Sequence, residues 1–116
     1  MHACRDMPDS VDVPKAALVI DQQEDSEAVV LCVVGEIDQV TCAQFTDAIE
    51  EAVEHSQRRR IEIDLSKVSF MDSAGINALV RCHAAADRRG RSLRVVNPHP
   101  DVRRVLDICG LLDLLS

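Results

Sequence analysis

The chain contains no tryptophan and no tyrosine, and its only aromatic residues are Phe45 and Phe70. A stacking platform for single-stranded nucleic acid needs aromatic faces in series, so that function is excluded. Excess positive charge is also missing. Against 13 Lys and Arg stand 20 Asp and Glu, for a net charge of −7. That balance repels a phosphate backbone or an anionic lipid surface, so neither nucleic acid nor membrane is an expected partner, whereas a basic protein surface is. The longest unbroken apolar run, Ala28 to Val34, falls far short of the ~20 residues that cross a bilayer. Met1 to Ser10 carries no apolar h-region, so a secretory leader is not expected. Cys4, Cys32, Cys42, Cys82 and Cys109 include no Cys-x-x-Cys pair, and His2, His55, His83 and His99 lack ligand spacing. No metal and no cofactor is therefore expected. Without a leader, the thiols are expected to be reduced and the protein cytoplasmic, with Cys32 packed as a small hydrophobe.

What is present describes one domain. The 116 residues are 47% apolar and 28% charged, a globular composition long enough for a core. Asp6, Pro8, Asp9, Asp12 and Pro14 mark residues 1–14 as a flexible head, leaving 15–116 as the folded domain. Alternation predicts a first strand over Ala16–Asp21, a polar turn over Gln22–Glu27 and a second strand over Ala28–Val34. The second strand is apolar on both faces, as a covered central strand is. Thr41-x-x-Gln44 reads as a capping box opening a helix whose apolar face is Cys42, Phe45, Ala48, Ile49, Ala52 and Val53. Arg58-Arg59-Arg60 then reads as a solvated basic corner. Ile61, Ile63 and Leu65 alternate with Glu62, Asp64 and Ser66 in a third strand, followed by a turn ending in Phe70 and Met71. Ile76, Leu79, Val80 and His83 fit one face of a second helix that runs to about Arg89 and stops at Gly90. Ser92–Val96 is a fourth strand. Asn97 to Pro100 form a turn, and Pro100 opens a third helix with Val102, Val105, Leu106 and Cys109 inward. Leu111 to Leu115 is an apolar tail that must dock or associate. This order is an α/β arrangement, one mixed sheet of about four strands flanked by helices, its strand–helix–strand steps parallel and right-handed.

The change of period falls at Asp72-Ser73-Ala74-Gly75, which sets a carboxylate and a hydroxyl where a helix begins. Asp72 is a good N-cap, and Ser73 then takes the first helical position, beside unpaired N–H groups and the positive dipole end. The apolar face starts three residues later, so the hydroxyl is expected to face outward, and Gly75 is expected to keep the turn slim for an approaching partner. Taken alone, Asp-Ser before an apolar run also suits a plain cap with an ordinary surface serine. In the expected sheet, the loops after the second and third strands leave by the same edge, which makes Asp38 a neighbour of Asp72 and Ser73.

The segment Asp-Leu-Ser-x-Val-x-Phe-Met-Asp-Ser-x-Gly, residues 64–75, resembles the signature of the STAS family, and more narrowly of small bacterial anti-sigma factor antagonists. Gly35-Glu36-Ile37-Asp38 with Thr41 resembles the family's first motif, and residues 102–111 its C-terminal helix. Three motifs in order make the match specific. The resemblance implies a phosphorylation-controlled binding protein without catalysis of its own. Such a protein binds an anti-sigma factor when unmodified, which frees a sigma factor. The anti-sigma factor is commonly a serine kinase that uses ATP and would modify Ser73, and a PP2C-type phosphatase would reverse the step. Asp38, Thr41, Asp72, Ser73, Ala74, Gly75, Ile76 and Asn77 are the implied partner-binding residues. Ala74 stands where many relatives carry a second serine, which leaves Ser73 the clear acceptor. Gln39-Val40 and Asn77 also depart from the usual residues and bear on which partner is recognised. The same fold also suits a non-switching scaffold or ligand-binding module of stressosome or sensor type. A hydrolase using Ser73 with His83 or His99 is disfavoured, because no Gly-x-Ser-x-Gly elbow surrounds Ser73.

Overall fold

The computed structural model describes residues 17–116, so the expected head, residues 1–14, lies outside the described residues. The first feature is a hairpin of β1 (Val19–Glu24) and β2 (Ala28–Ile37). Asp25 closes it, its Oδ1 accepting from the backbone N–H of Glu27 at 2.7 Å and of Ala28 at 2.8 Å. The first strand is shifted along the chain from its expected span and includes Gln22 to Glu24. Backbone pairing from Val19 opposite Val34 to Glu24 opposite Val29 holds these polar residues in the ladder, which side-chain alternation does not report.

Every residue from Ala28 to Val34 is buried, as expected of a central strand. β2 pairs antiparallel with β1 and parallel with β3 (Arg60–Met71), and β3 pairs parallel with β4 (Ser92–Val96), giving the strand order β1-β2-β3-β4. The parallel steps are made by α1 (Cys42–His55) and α2 (Ser73–Arg88). Right-handed crossovers put successive helices on one face, and α1 packs along α2. α3 (Pro100–Ile108) lies on β3, and α4 (Leu112–Leu115) closes on β4. Leu115 is buried, so the apolar tail docks. The chain is thus a single mixed four-stranded sheet flanked by helices.

Four expectations need correction. The turn expected between Ser66 and Met71 is strand: β3 continues through it, with register breaks opposite Cys32–Val34 and Gly35–Glu36. Each break adds one residue to β3, so its buried side chains fall at Leu65, Val68 and Met71, a spacing that imitates a turn. The buried face of α2 is Gly75, Ala78, Leu79, Cys82 and Ala86. Ile76 and Val80 sit at its margin, and His83 is half-buried with Nδ1 3.9 Å from Asp87. Small residues let this helix close on its neighbours, whereas larger side chains dominate a sequence pattern. Cys109 is exposed at the end of α3, not part of its inner face. Cys32 is disulfide-bonded, so among the described residues reduced thiols hold for Cys42, Cys82 and Cys109. Burial pushes the Cys82 thiol up to about 11.

Candidate functional site

β2 and β3 are parallel, so the turns that follow them leave by the same sheet edge. Ile37 lies opposite Met71, and the N–H of Asp72 donates to the Ile37 carbonyl at 3.1 Å. Asp38 and Asp72, each the next residue along, are therefore side by side although 34 positions apart in sequence.

Each aspartate organises the helix that follows it. Asp72 is the N-cap of α2, and its Oδ1 accepts from the N–H groups of Ala74 at 2.9 Å and Gly75 at 3.3 Å. Ser73 is the first helical residue and is exposed, and its hydroxyl makes no hydrogen bond with any described residue. Asp38 Oδ1 accepts from Val40 N–H at 2.9 Å and Thr41 N–H at 3.1 Å, and its carbonyl accepts from Cys42 N–H at 2.8 Å.

The capping box expected at Thr41 and Gln44 does not form. Thr41 has near-helical angles and makes no side-chain cap bond. Its hydroxyl turns back, accepting from Asp38 N–H at 3.0 Å and donating to the Glu36 carbonyl at 2.8 Å. Gln44 instead grips Leu18, accepting from its N–H at 2.9 Å and donating to its carbonyl at 2.8 Å.

Of the expected contact residues, Ser73 and Asn77 are exposed, Asp38, Asp72, Ala74 and Ile76 are half-buried, and Thr41 and Gly75 are buried. Gly75 does not keep the outside slim. A Cβ there would lie 2.7 Å from Ile37 Cγ2 and 2.7 Å from Met71 Cγ, so the missing side chain lets α2 seat on the ends of β2 and β3. Two apolar residues outside the expected contact set lie at the same edge: Val40 is 69% and Phe70 49% exposed. Phe70 was hidden by the assumed turn. The sequence marks Val40 only through its departure from the usual residue, although it is also a lone apolar residue in a polar loop. Beside them a shallow groove between α1 and α2 is lined by Cys42, Ala74, Asn77, Val80 and Arg81, with Cys42 Sγ 3.4 Å from the Ala74 carbonyl.

Among the described residues, no base addresses Ser73. Asp72 is engaged in its cap, His83 lies beside Asp87, and His99 Nδ1 accepts from Asp101 N–H at 3.1 Å. Among the described residues, no group of three His, Cys, Asp or Glu is placed to hold a metal ion, and no helix is long and apolar enough to cross a membrane. The arrangement offers a hydroxyl that no described residue bonds, at a positive helix end, next to Asp72 and on the edge that carries Asp38.

Residues 19–116 match the STAS domain family model. The anti-sigma-F factor antagonist RsfB of Mycobacterium tuberculosis is 33% identical over 106 residues, covering 90% of this chain and 78% of that protein. An anti-sigma factor antagonist from Mycobacterium paratuberculosis superimposes with a TM-score of 0.72 at 29% identity, over 95% of this chain and 86% of that one. The anti-sigma factor antagonist SpoIIAA in its unphosphorylated form gives 0.70 at 25% identity, over 82% and 84%. The phosphorylated form of SpoIIAA, a Bacillus cell fate determinant, gives 0.60 at 26% identity, over 80% and 85%.

Proposed function

We propose, from the premise that this chain belongs to the STAS domain family, that it is an anti-sigma factor antagonist whose docking is switched at Ser73. It is a binding protein with no catalysis of its own, acting in the cytoplasm. Unmodified, it docks on an anti-sigma factor through the edge that carries Asp38 and Ser73, and a sigma factor is released. The anti-sigma factor is of the serine kinase type and modifies Ser73 with ATP, and a PP2C-type phosphatase removes the phosphate. Ser73, Asp38, Ala74, Ile76 and Asn77 form the contact surface with Val40 and Phe70, while Thr41, Asp72 and Gly75 hold it in shape.

The carrying observation is the exposed, unbonded hydroxyl of Ser73 at the first position of α2, on the edge shared with Asp38. A phosphate there adds about −1.5 to −2 charges. The helix N-terminus favours it by ~0.3–1 kcal/mol, so the fold survives. A partner packed over the hydroxyl does not tolerate it, because the new charge must be desolvated beside two carboxylates. The existence of SpoIIAA in both forms supports the same reading.

Incubation with a kinase-type anti-sigma factor and ATP should add one phosphoryl group to the wild type and none to Ser73→Ala, read by intact mass. Ser73→Ala should retain the partner in a pull-down, and Ser73→Asp should lose it. Equal capture by Ser73→Asp and wild type removes the switch.

A further inference from the structure

The other end of the sheet carries a different chemistry. Ala28 lies opposite Arg60, and Arg60 opposite Ser92, so β2, β3 and β4 start together on the order of 30 Å along the strands from Ser73. A cavity of about 710 Å³ opens there, and its lining includes Arg58, Arg59, Arg60 and Arg91, faced by Glu27 and Asp87. Arg58, Arg59 and Arg60 are the run that the sequence reads as a solvated corner. The fold gathers them with Arg91 into a concave wall, in a chain whose net charge is −7.

Two guanidiniums there are incompletely used. The Nε of Arg60 and the Nη1 of Arg91 are buried and have no hydrogen-bond partner among the described residues. Glu62 approaches Arg60 Nε only to 3.7 Å, beyond hydrogen-bond range. Arg58 is committed elsewhere, with Nη2 3.3 Å from Glu24 and Nε donating to the Asp25 carbonyl. A buried donor left unpaired is costly, and an arginine fork matches a phosphate oxyanion geometrically.

We propose that this cavity binds a small soluble molecule through a di- or polyphosphate group, held by Arg60 and Arg91 with Arg59 beside them. Glu27, Asp87 and the C-terminal end of α2 all oppose an anion, so binding rests on several arginine forks acting together, which a group with more than one phosphate can engage at once. The volume lies within the range of small-molecule sites. No aromatic side chain lines it, so a nucleobase has no stacking partner and recognition rests on the phosphate oxygens. The site is independent of Ser73 and its modification.

The probe is inorganic pyrophosphate, titrated into the ¹⁵N-labelled full chain at fixed ionic strength. Saturable amide shifts are expected at Arg60, Arg91 and Ser92, with Ser73 to Asn77 unmoved. Arg60→Gln and Arg91→Gln should each weaken binding at least tenfold, whereas Arg103→Gln, exposed on α3, should leave it unchanged. Absence of saturation at millimolar pyrophosphate overturns the proposal, and so does equal weakening by Arg103→Gln, which signals diffuse attraction. Cosedimentation with phosphatidylglycerol vesicles overturns the soluble-ligand assignment. If an arginine variant fails to fold, the wild-type shift map decides alone.

Discussion

Thr41 and Ser73 are the hydroxyl residues at the mouths of two helices that leave one sheet edge, and their fates are opposite. Thr41 is 1% exposed, and its oxygen is tied to Asp38 and Glu36. Ser73 is exposed and makes no hydrogen bond with any described residue. Both follow an aspartate that collects backbone N–H groups, so the carboxylates do not differ in kind. The spacing differs. Asp38 precedes Thr41 by three residues, and the intervening loop folds the hydroxyl back under it. Asp72 immediately precedes Ser73, the helix starts at once, and the hydroxyl is carried outward. One hydroxyl braces the edge, and the other is presented by it.

The strongest test of that contrast comes from beneath the presented residue. Gly75→Val forces a branched side chain onto Ile37 and Met71 and should cost about 3 kcal/mol in urea unfolding. A neutral result would mean that the seat of α2 is loose. Thr41→Val strands the Asp38 N–H and the Glu36 carbonyl and should cost about 2 kcal/mol. Asp72→Ala removes the cap from Ala74 and Gly75, with an expected loss of about 1 kcal/mol. The smallest effect belongs to Ser73→Ala, whose unfolding midpoint should correspond to a change within ~0.5 kcal/mol. If Thr41→Val proves as harmless as Ser73→Ala, the division between a bracing and a presented hydroxyl is lost.

Much of this arrangement was legible in the sequence, for identifiable reasons. Asp72 caps because Asp-Ser before a helical period has few other uses, and Gly90 ends α2 with φ of 71°, as a glycine past a helix end does. β2 was legible because seven apolar residues in a row fit a strand covered on both faces. Thr41 and Gln44 misled because a capping box is a local rule, and here two tertiary bonds to Leu18 outbid it for Gln44. Gly75 misled for a related reason. Glycine announces that something comes close, but not from which side. The basic cavity was invisible, since Arg91 joins Arg58 to Arg60 only after β3 and β4 pair.

The two register breaks in β3 act as slack in its length. Twelve residues of β3 keep pace with ten of β2. Removing the extra residue at either break would straighten the ladder there and still leave Met71 opposite Ile37, with the serine aimed as before. Variation in this strand is therefore tolerated one residue at a time at the two breaks, a rule that can be checked by building deletions of one and of two.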